Sequence, residues 1–442
     1  MKFITDYKLE NYVLQTTWED FPEPIRQRAI VCSIDLIMAL LLGSRGQQHA
    51  AGVRLAKRIY LGGDVAVVGS KEYLSFIGAT VAMGHASNSF DIDDGHNMIK
   101  GHPGTSFVAG VLAAALEKNV SYQEYLTTLA VCYEVTIRNG LALQDHYQYL
   151  HSTGAYGAFG TAAGVGRLFG LTKEQLNNAL SVAEFHAPLT PVMRSVEYPS
   201  MNKDGVPFGA LIGAMAVLET LCGTTGRGHL LETPQYRTLL DTLGRRFEIM
   251  NLYFKPYTCC RWAHQPIKAS LNMMKAEGFS ATDIDHVTVH TFSSAAQLSK
   301  IVPATTDEAQ YNIAYPVAAA IVSGELGFAE VRDEALDNSN VLSMMKRLSF
   351  VVDPEMEKQF PNKRLAWVEF FLKDGRVLRS EALAAPGEAT DNVDLDWITQ
   401  KFLRITRPIL SSGEQHKLLS LLTDSTNLTM QEIVEAINNP LI

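Results

Sequence analysis

The sequence predicts a mainly α-helical protein with a smaller α+β unit in its C-terminal half, and three observations carry that prediction. First, helix-start signals recur. Ser121 with Glu124, Thr172 with Gln175, Thr305 with Glu308, Ser411 with Glu414 and Thr429 with Glu432 each place a hydroxyl three residues before Glu or Gln, the spacing at which the two side chains take up free backbone N–H groups at a helix start. Second, the period changes after about residue 250: HVTVHTF (286–292) and LAWVEFFL (365–372) alternate as strands do. Third, the helical pattern returns from Trp397 onward, so the C-terminus is expected to pack back on the first region.

The elements follow in order. IRQRAIVCSIDLIMALLLG, TSFVAGVLAAALEK and YLTTLAVCYEVTI are apolar at helical spacing, and residues 1–252 read as a helical domain with short loops. Residues 154–170, GAYGAFGTAAGVGRLFG, are rich in glycine, which costs a helix about 1 kcal/mol each against alanine. So many glycines imply close approach of another helix or a ligand. They are not a dinucleotide fingerprint, since Gly164, Gly166 and Gly170 have the wrong spacing and no strand precedes them. Residues 253–392 read as the α+β domain. It contains a helix over 313–324 and a hairpin turning at Asp374-Gly375. Residues 393–442 complete the helical domain.

Composition bounds the function. The chain has 442 residues, 47% of them hydrophobic and 19% charged, as in globular proteins. A net charge of −9 argues against nucleic acid or an anionic membrane as partner. An anionic substrate would therefore need a local basic pocket. Cys32, Cys132, Cys222, Cys259 and Cys260 are sparse and include no C-x-x-C, so neither a disulfide framework nor a zinc site is expected. Residues 34–42 are the most apolar run, but they include Asp35 and are too short to span a bilayer. The N-terminus lacks the pattern of a signal peptide. The expectation is a soluble cytoplasmic protein.

Five segments carry candidate chemistry. HASNSFDIDDGH (85–96) with KGHPGT (100–105) brings Asp91, Asp93, Asp94, His96, Lys100 and His102 together just before an apolar helix. Asp91 would orient a histidine and His102 move a proton near neutral pH. The segment reads equally as a polar loop with capping aspartates, and a His/Asp metal site is a further reading. His151-Ser152-Thr153-Gly154 opens the glycine-rich helix, where hydroxyls and free N–H groups suit a carboxylate or simply cap the helix. Lys203 stands at the entrance of a helix running toward Leu221, as a point charge or a solvated side chain. FKPYTCCRWAH (254–264) embeds Lys255, Arg261 and His264 among apolar groups, costly company for cations without an anion. Tyr315 sits in the apolar stretch IAYPVAAAIVSG, as a core residue or a site hydroxyl. This inventory has no phosphate loop and no G-x-S-x-G, and it suits proton transfer beside a carboxylate.

Taken together, HASNSFDIDDGH, GHPGT, HSTGAYGAFGTAAGVGRLFGL, KDGVPFGALIGA, FKPYTCCRWAHQPI and EAQYNIAYPVAAAIVSGE resemble the MmgE/PrpD family, over nearly the whole chain. That family includes 2-methylcitrate dehydratases, cis-aconitate decarboxylases and iminodisuccinate epimerases. The resemblance implies a large all-helical domain built from both chain ends, a smaller α+β lid and a site between them. It also implies a homodimer and no metal or organic cofactor. Carried over by motif, it assigns site roles to Asp91, His102, His151, Lys203, Lys255 and Tyr315. His102 and His151 are the expected proton movers, and Lys203 and Lys255 the carboxylate binders. Asp93, His96, Arg261 and His264 complete the expected substrate contacts. Where decarboxylases have Thr after the paired aspartates, this chain has Gly95. The expected activity is a hydro-lyase on a small hydroxy-polycarboxylate such as a citrate-like acid. The alternatives are an epimerase or decarboxylase on the same scaffold, a metal-dependent hydrolase, and a non-catalytic helical binding protein.

Overall fold

Helix Glu23–Gly43 is apolar on every side and is buried without interruption from Ala29 to Gly43, which puts it at the centre of a helical body. In the computed structural model, which describes residues 3–424 and 426–439, it is surrounded by the helices Phe76–Ser87, Pro103–Glu117, Tyr122–His146 and Leu395–Thr406. The chain is 58% helical and 9% strand, mainly α as the sequence predicts.

The glycine-rich segment forms helix Gly154–Leu168, packed against Pro103–Glu117, Tyr122–His146 and Val206–Leu221. Its small residues let the backbones close up. A Cβ on Gly164 would fall 2.4 Å from Cys132 Sγ, and one on Gly209 of the facing helix 2.5 Å from the Gly154 carbonyl oxygen. The five capping hydroxyls accept the expected backbone N–H groups, and Thr172 and Thr429 head full capping boxes. The body is less regular than expected between residues 222 and 251, where only short 3-10 turns appear.

The C-terminal helices return to the body. The Lys401 ammonium pairs with Asp35 and donates to the Ile92 carbonyl. Asn438 Nδ2 donates to the Val67 carbonyl, and its Oδ1 accepts from the Gly69 N–H.

The inserted unit holds a five-stranded sheet. Strand Ile284–Thr291 lies between Leu348–Val352, parallel to it, and Leu365–Leu372, antiparallel. Val377–Arg379 and Leu383–Ala384 both pair with Leu365–Leu372. The Asp374-Gly375 turn forms, with Gly375 at φ 90°. Strand Leu348–Val352 was not anticipated; its residues are half-buried or exposed, so no clean alternation marks it. Val287, Val289, Val368 and Phe370 are fully buried, and helix His264–Glu277 packs on the sheet. Among the described residues, no single helix is long and apolar enough to cross a membrane.

Candidate active site

The loop between helices Phe76–Ser87 and Pro103–Glu117 is tied down from all sides. Strand Gly95–His96 pairs with Leu252–Tyr253 at the start of the inserted unit. Gly95 packs so closely on Tyr253 that a Cβ there would fall 2.2 Å from the ring. A threonine cannot occupy this position while Tyr253 keeps its place. Asp91 and Lys100 in this loop, and Lys203 across from it, adopt left-handed φ angles of 50°, 56° and 45°. Such backbone strain in non-glycine residues clusters at functional sites.

The centre of the site is His102, the N-cap of helix Pro103–Glu117. Its Nδ1 donates to Asp93 Oδ2 at 2.9 Å. Asp93 also accepts from Asn88 Nδ2 at 2.8 Å and from the Thr105 hydroxyl at 3.1 Å, which fixes its plane. His102 Nε2 stands 3.6 Å from Asp91 Oδ1 and 3.6 Å from Asp204 Oδ2. The Lys255 ammonium lies 2.7 Å from Asp91 Oδ1. The electrostatics follow. Burial and the Lys255 charge disfavour protonated His102, yet Asp93 and Asp91 outweigh them and raise its pKa. Burial works against Asp93 too, but His102 and Lys255 hold it well below the usual carboxylate range. Burial raises Asp204 despite the charge of His102. Burial and the Asp93 charge push Asp94 up to about 7. Asp94 faces away from the cavity, where it accepts from the Tyr133 hydroxyl and the Gly104 N–H.

These groups open on a cavity of about 520 Å³ whose walls come from both units, within the range of small-molecule sites. Asp91, His96, His102, Lys255 and Arg261 line it, as do Tyr253, Tyr311, Arg364, Lys100, Asn97 and Asp204. Asp93 stands behind His102. His96 is neutral, since burial lowers its pKa to about 4.

Four expected site residues lie elsewhere. The Lys203 ammonium is turned away to Gln310 Oε1 at 2.6 Å and Asp307 Oδ1 at 3.0 Å; its neighbour Asp204 reaches the cavity instead. The Tyr315 hydroxyl is spent on the Glu330 and Ala335 carbonyls at 2.9 and 3.2 Å. Tyr311, the residue that follows helix Thr306–Gln310, lines the cavity instead. His264 Nε2 is satisfied by the Cys259 carbonyl at 3.0 Å, in the core. His151 is buried between the rings of Tyr147 and Tyr149 with neither ring nitrogen bonded; Leu150 takes its place on the cavity wall. The helix start at Thr153 is not an open anion site, because the Asp204 carbonyl accepts from the Gly154 N–H at 2.8 Å. Asp204, Tyr311, Tyr253 and Arg364 were missed. Asp204, beside a chosen lysine, and Tyr311, inside the chosen segment EAQYNIAYP, carried a signal in the sequence.

Asp91, Asp93 and His102 also hold one donor atom each within 4.8 Å of one another, a set that could take a metal ion. The Lys255 ammonium already sits on Asp91 and supplies positive charge there from within the chain. A buried histidine held by one carboxylate, a lysine paired with a second and a third carboxylate of raised pKa form an arrangement suited to moving protons.

Comparison with known proteins gives this class a family. A model described as the MmgE/PrpD N-terminal domain matches residues 7–247, and one described as the MmgE/PrpD C-terminal domain matches residues 257–425. The chain belongs to the MmgE/PrpD family. It is 23% identical to the cis-aconitate decarboxylase-like protein oryM of Aspergillus oryzae, over 98% of this chain and 97% of that relative. It is 20% identical to the cis-aconitate decarboxylase of Aspergillus terreus, over 96% of this chain and 93% of that relative. These relationships support an enzyme of the dehydratase or decarboxylase type of lyase.

Proposed function

We propose that the protein is a cofactor-independent hydro-lyase acting on a small hydroxy-polycarboxylate, by removing a proton from carbon beside a carboxylate. The observation that carries this reading is the Asp93–His102 pair with His102 Nε2 turned toward Asp91, Asp204 and the cavity. Asp93 accepts the hydrogen bond from Nδ1–H, so neutral His102 presents Nε2 as a base. The carbon proton moves to Nε2, and the resulting imidazolium is stabilised by Asp93 and Asp91. The Lys255 ammonium offsets charge that builds on the substrate's carboxylate. Asp204, protonated more readily than an ordinary aspartate, delivers a proton to the departing hydroxide. Base and acid stand close together, an arrangement suited to removing both groups from one face of the substrate.

Incubation of the purified protein with 2-methylcitrate, citrate and related hydroxy-acids, read as absorbance of a conjugated product, tests the reading. Absence of turnover with every such acid, in folded protein, overturns it. Decarboxylation is the second reading, favoured by the names of the two relatives. In that case carbon dioxide is released and no hydroxide leaves.

Phe185, Tyr198 and Phe208 are 85%, 74% and 51% exposed, close in sequence to Val192 and Met193, which line the cavity. Tyr198 and Phe208 line the same surface recess, and an exposed apolar patch of this kind suits an interaction surface. A second copy of the chain, forming a homodimer, is the proposed occupant. The five free thiols suit a reducing, cytoplasmic setting.

A further inference from the structure

Arg261 is 5% exposed, and none of its three guanidinium nitrogens has a hydrogen-bond acceptor. Nη2 stands 2.7 Å from Glu388 Oε1, an ion contact by distance that lacks the alignment of a hydrogen bond. The guanidinium lies over the Tyr253 ring, 3.7 Å from its centroid. A buried cation with unused donors is costly unless an anion completes it, and this one lines the cavity.

Arg364 lines the same cavity. Its Nη1 donates to Asn97 Oδ1 at 2.7 Å, while its Nε is buried with no acceptor. Asn97 Nδ2 in turn donates to Glu388 Oε2 at 2.9 Å. One carboxylate thus touches Arg261 with one oxygen and, with the other, the amide that holds Arg364. Glu388 is itself fixed. It follows Gly387, whose carbonyl accepts from the Phe254 N–H at 2.8 Å, one residue before Lys255.

Charge divides the cavity into two ends. At the His102 end, Lys255 is engaged by Asp91, and Asp93 and Asp204 lie alongside. At the other end stand Arg261 and Arg364, with Lys100 near enough to Arg364 to feel its charge, against Glu388. The Tyr253 hydroxyl lies between, within the field of Lys255, Arg261, Arg364 and Asp91. The basic part of this acidic protein's cavity is the arginine end.

We propose that Arg261 and Arg364 form a second carboxylate subsite, positioned by Asn97 and Glu388, which selects acids bearing a carboxylate remote from the reacting carbon. The inference rests on the polycarboxylate reading of the site and extends it to Arg364, Asn97 and Glu388, which that reading does not use. Planar guanidinium groups match a carboxylate in geometry as well as charge. Asn97, from the helical body, aims an arginine of the inserted unit, so the subsite exists only while the two units are docked.

The test uses the full-length protein and three acids with no leaving group: tricarballylate, glutarate and butyrate, carrying three, two and one carboxylates. Calorimetric titration gives the affinity ratio of tricarballylate to butyrate. Arg364→Met is expected to lower that ratio by about tenfold to a hundredfold, the effect of losing charged hydrogen bonds, while butyrate binding stays within about twofold. Arg364→Lys, which restores charge but not the planar fork, is expected to fall between, and it carries the test if Arg364→Met fails to fold. Asn97→Ala leaves every charge in place and is expected to lower the same ratio, a change that loss of general stability would not produce. Equal weakening for all three acids, or an unchanged ratio in Arg364→Met, overturns the subsite and leaves the lyase reading standing. Failure of the unaltered protein to bind any of the acids overturns the polycarboxylate reading, and the subsite with it.

Discussion

Asp93 and His102, nine residues apart, are joined by a 2.9 Å hydrogen bond in which Nδ1 donates to Oδ2, and both are buried. This bond fixes which ring nitrogen faces the cavity. It also raises the pKa of His102. Neutral His102 is the active form, so turnover per substrate encounter should rise with pH through a limb above the ordinary histidine value of about 6.5. Asp93→Asn removes the charge that raises this pKa, so the limb should move to lower pH. The plateau should fall by about 10²- to 10⁴-fold, the usual contribution of a placed acid–base group. A pH profile of kcat/KM for both proteins checks this, and an unmoved limb would show that His102 is not the titrating group.

Lys255 and Asp91 form a buried pair at 2.7 Å. Lys255→Met leaves the Asp91 carboxylate unpaired in the interior, which is expected to cost about 3–5 kcal/mol. Adding Asp91→Leu should return much of that stability and none of the activity. Urea unfolding of the two variants beside turnover separates the structural role from the chemical one.

Tyr311 and Tyr315, four residues apart, should behave oppositely. Tyr315→Phe strips a hydroxyl that serves the Glu330 and Ala335 carbonyls, so about 1–3 kcal/mol of stability should be lost with kcat/KM within about twofold. Tyr311→Phe alters the cavity wall and should change KM or kcat at nearly constant melting temperature. The reverse result would restore Tyr315 to the site.

Asp94 titrates at about 7 in the folded protein, against about 3.9 unfolded. A carboxyl whose pKa is raised on folding contributes stability that is full below the unfolded value and is lost as pH climbs toward the folded one. The stability of the unaltered protein relative to Asp94→Asn should therefore fall by several kcal/mol between about pH 4 and pH 7 and level off above that. Melting temperatures of both proteins across this range check the sign, and a rise with pH in the stability of the unaltered protein relative to Asp94→Asn would contradict it.

Phe208 is half exposed on the outer side of helix Val206–Leu221. If a second copy covers this surface, Phe208→Glu should shift the mass measured by light scattering from dimer toward monomer without lowering helical content. A monomer in the unaltered protein would remove the homodimer proposal.

Much of the fold was legible in the sequence because its signals are local. Capping pairs, the period of apolar residues and the Asp-Gly turn each act over a few residues. Strand Leu348–Val352 was not legible because pairing partners, rather than a buried face, hold it. The site was legible in part. His102, Asp91 and Lys255 sit in segments where charge is packed among apolar residues, a pattern visible in one dimension. Arg364 and Tyr253 carry no such mark, and they become site residues only because distant segments meet around the cavity.

The chain by itself determined the helical body, the inserted sheet, the acidic balance and the segments in which chemistry would be found. Tertiary structure alone decided which side chain of each segment faces the cavity. Lys203 turns to Asp307 while Asp204 turns inward, and Tyr315 is spent on two carbonyls while Tyr311 is not. The physical reason is that a buried polar group must be satisfied by whatever partner lies within about 3 Å, and that partner comes from elsewhere in the chain.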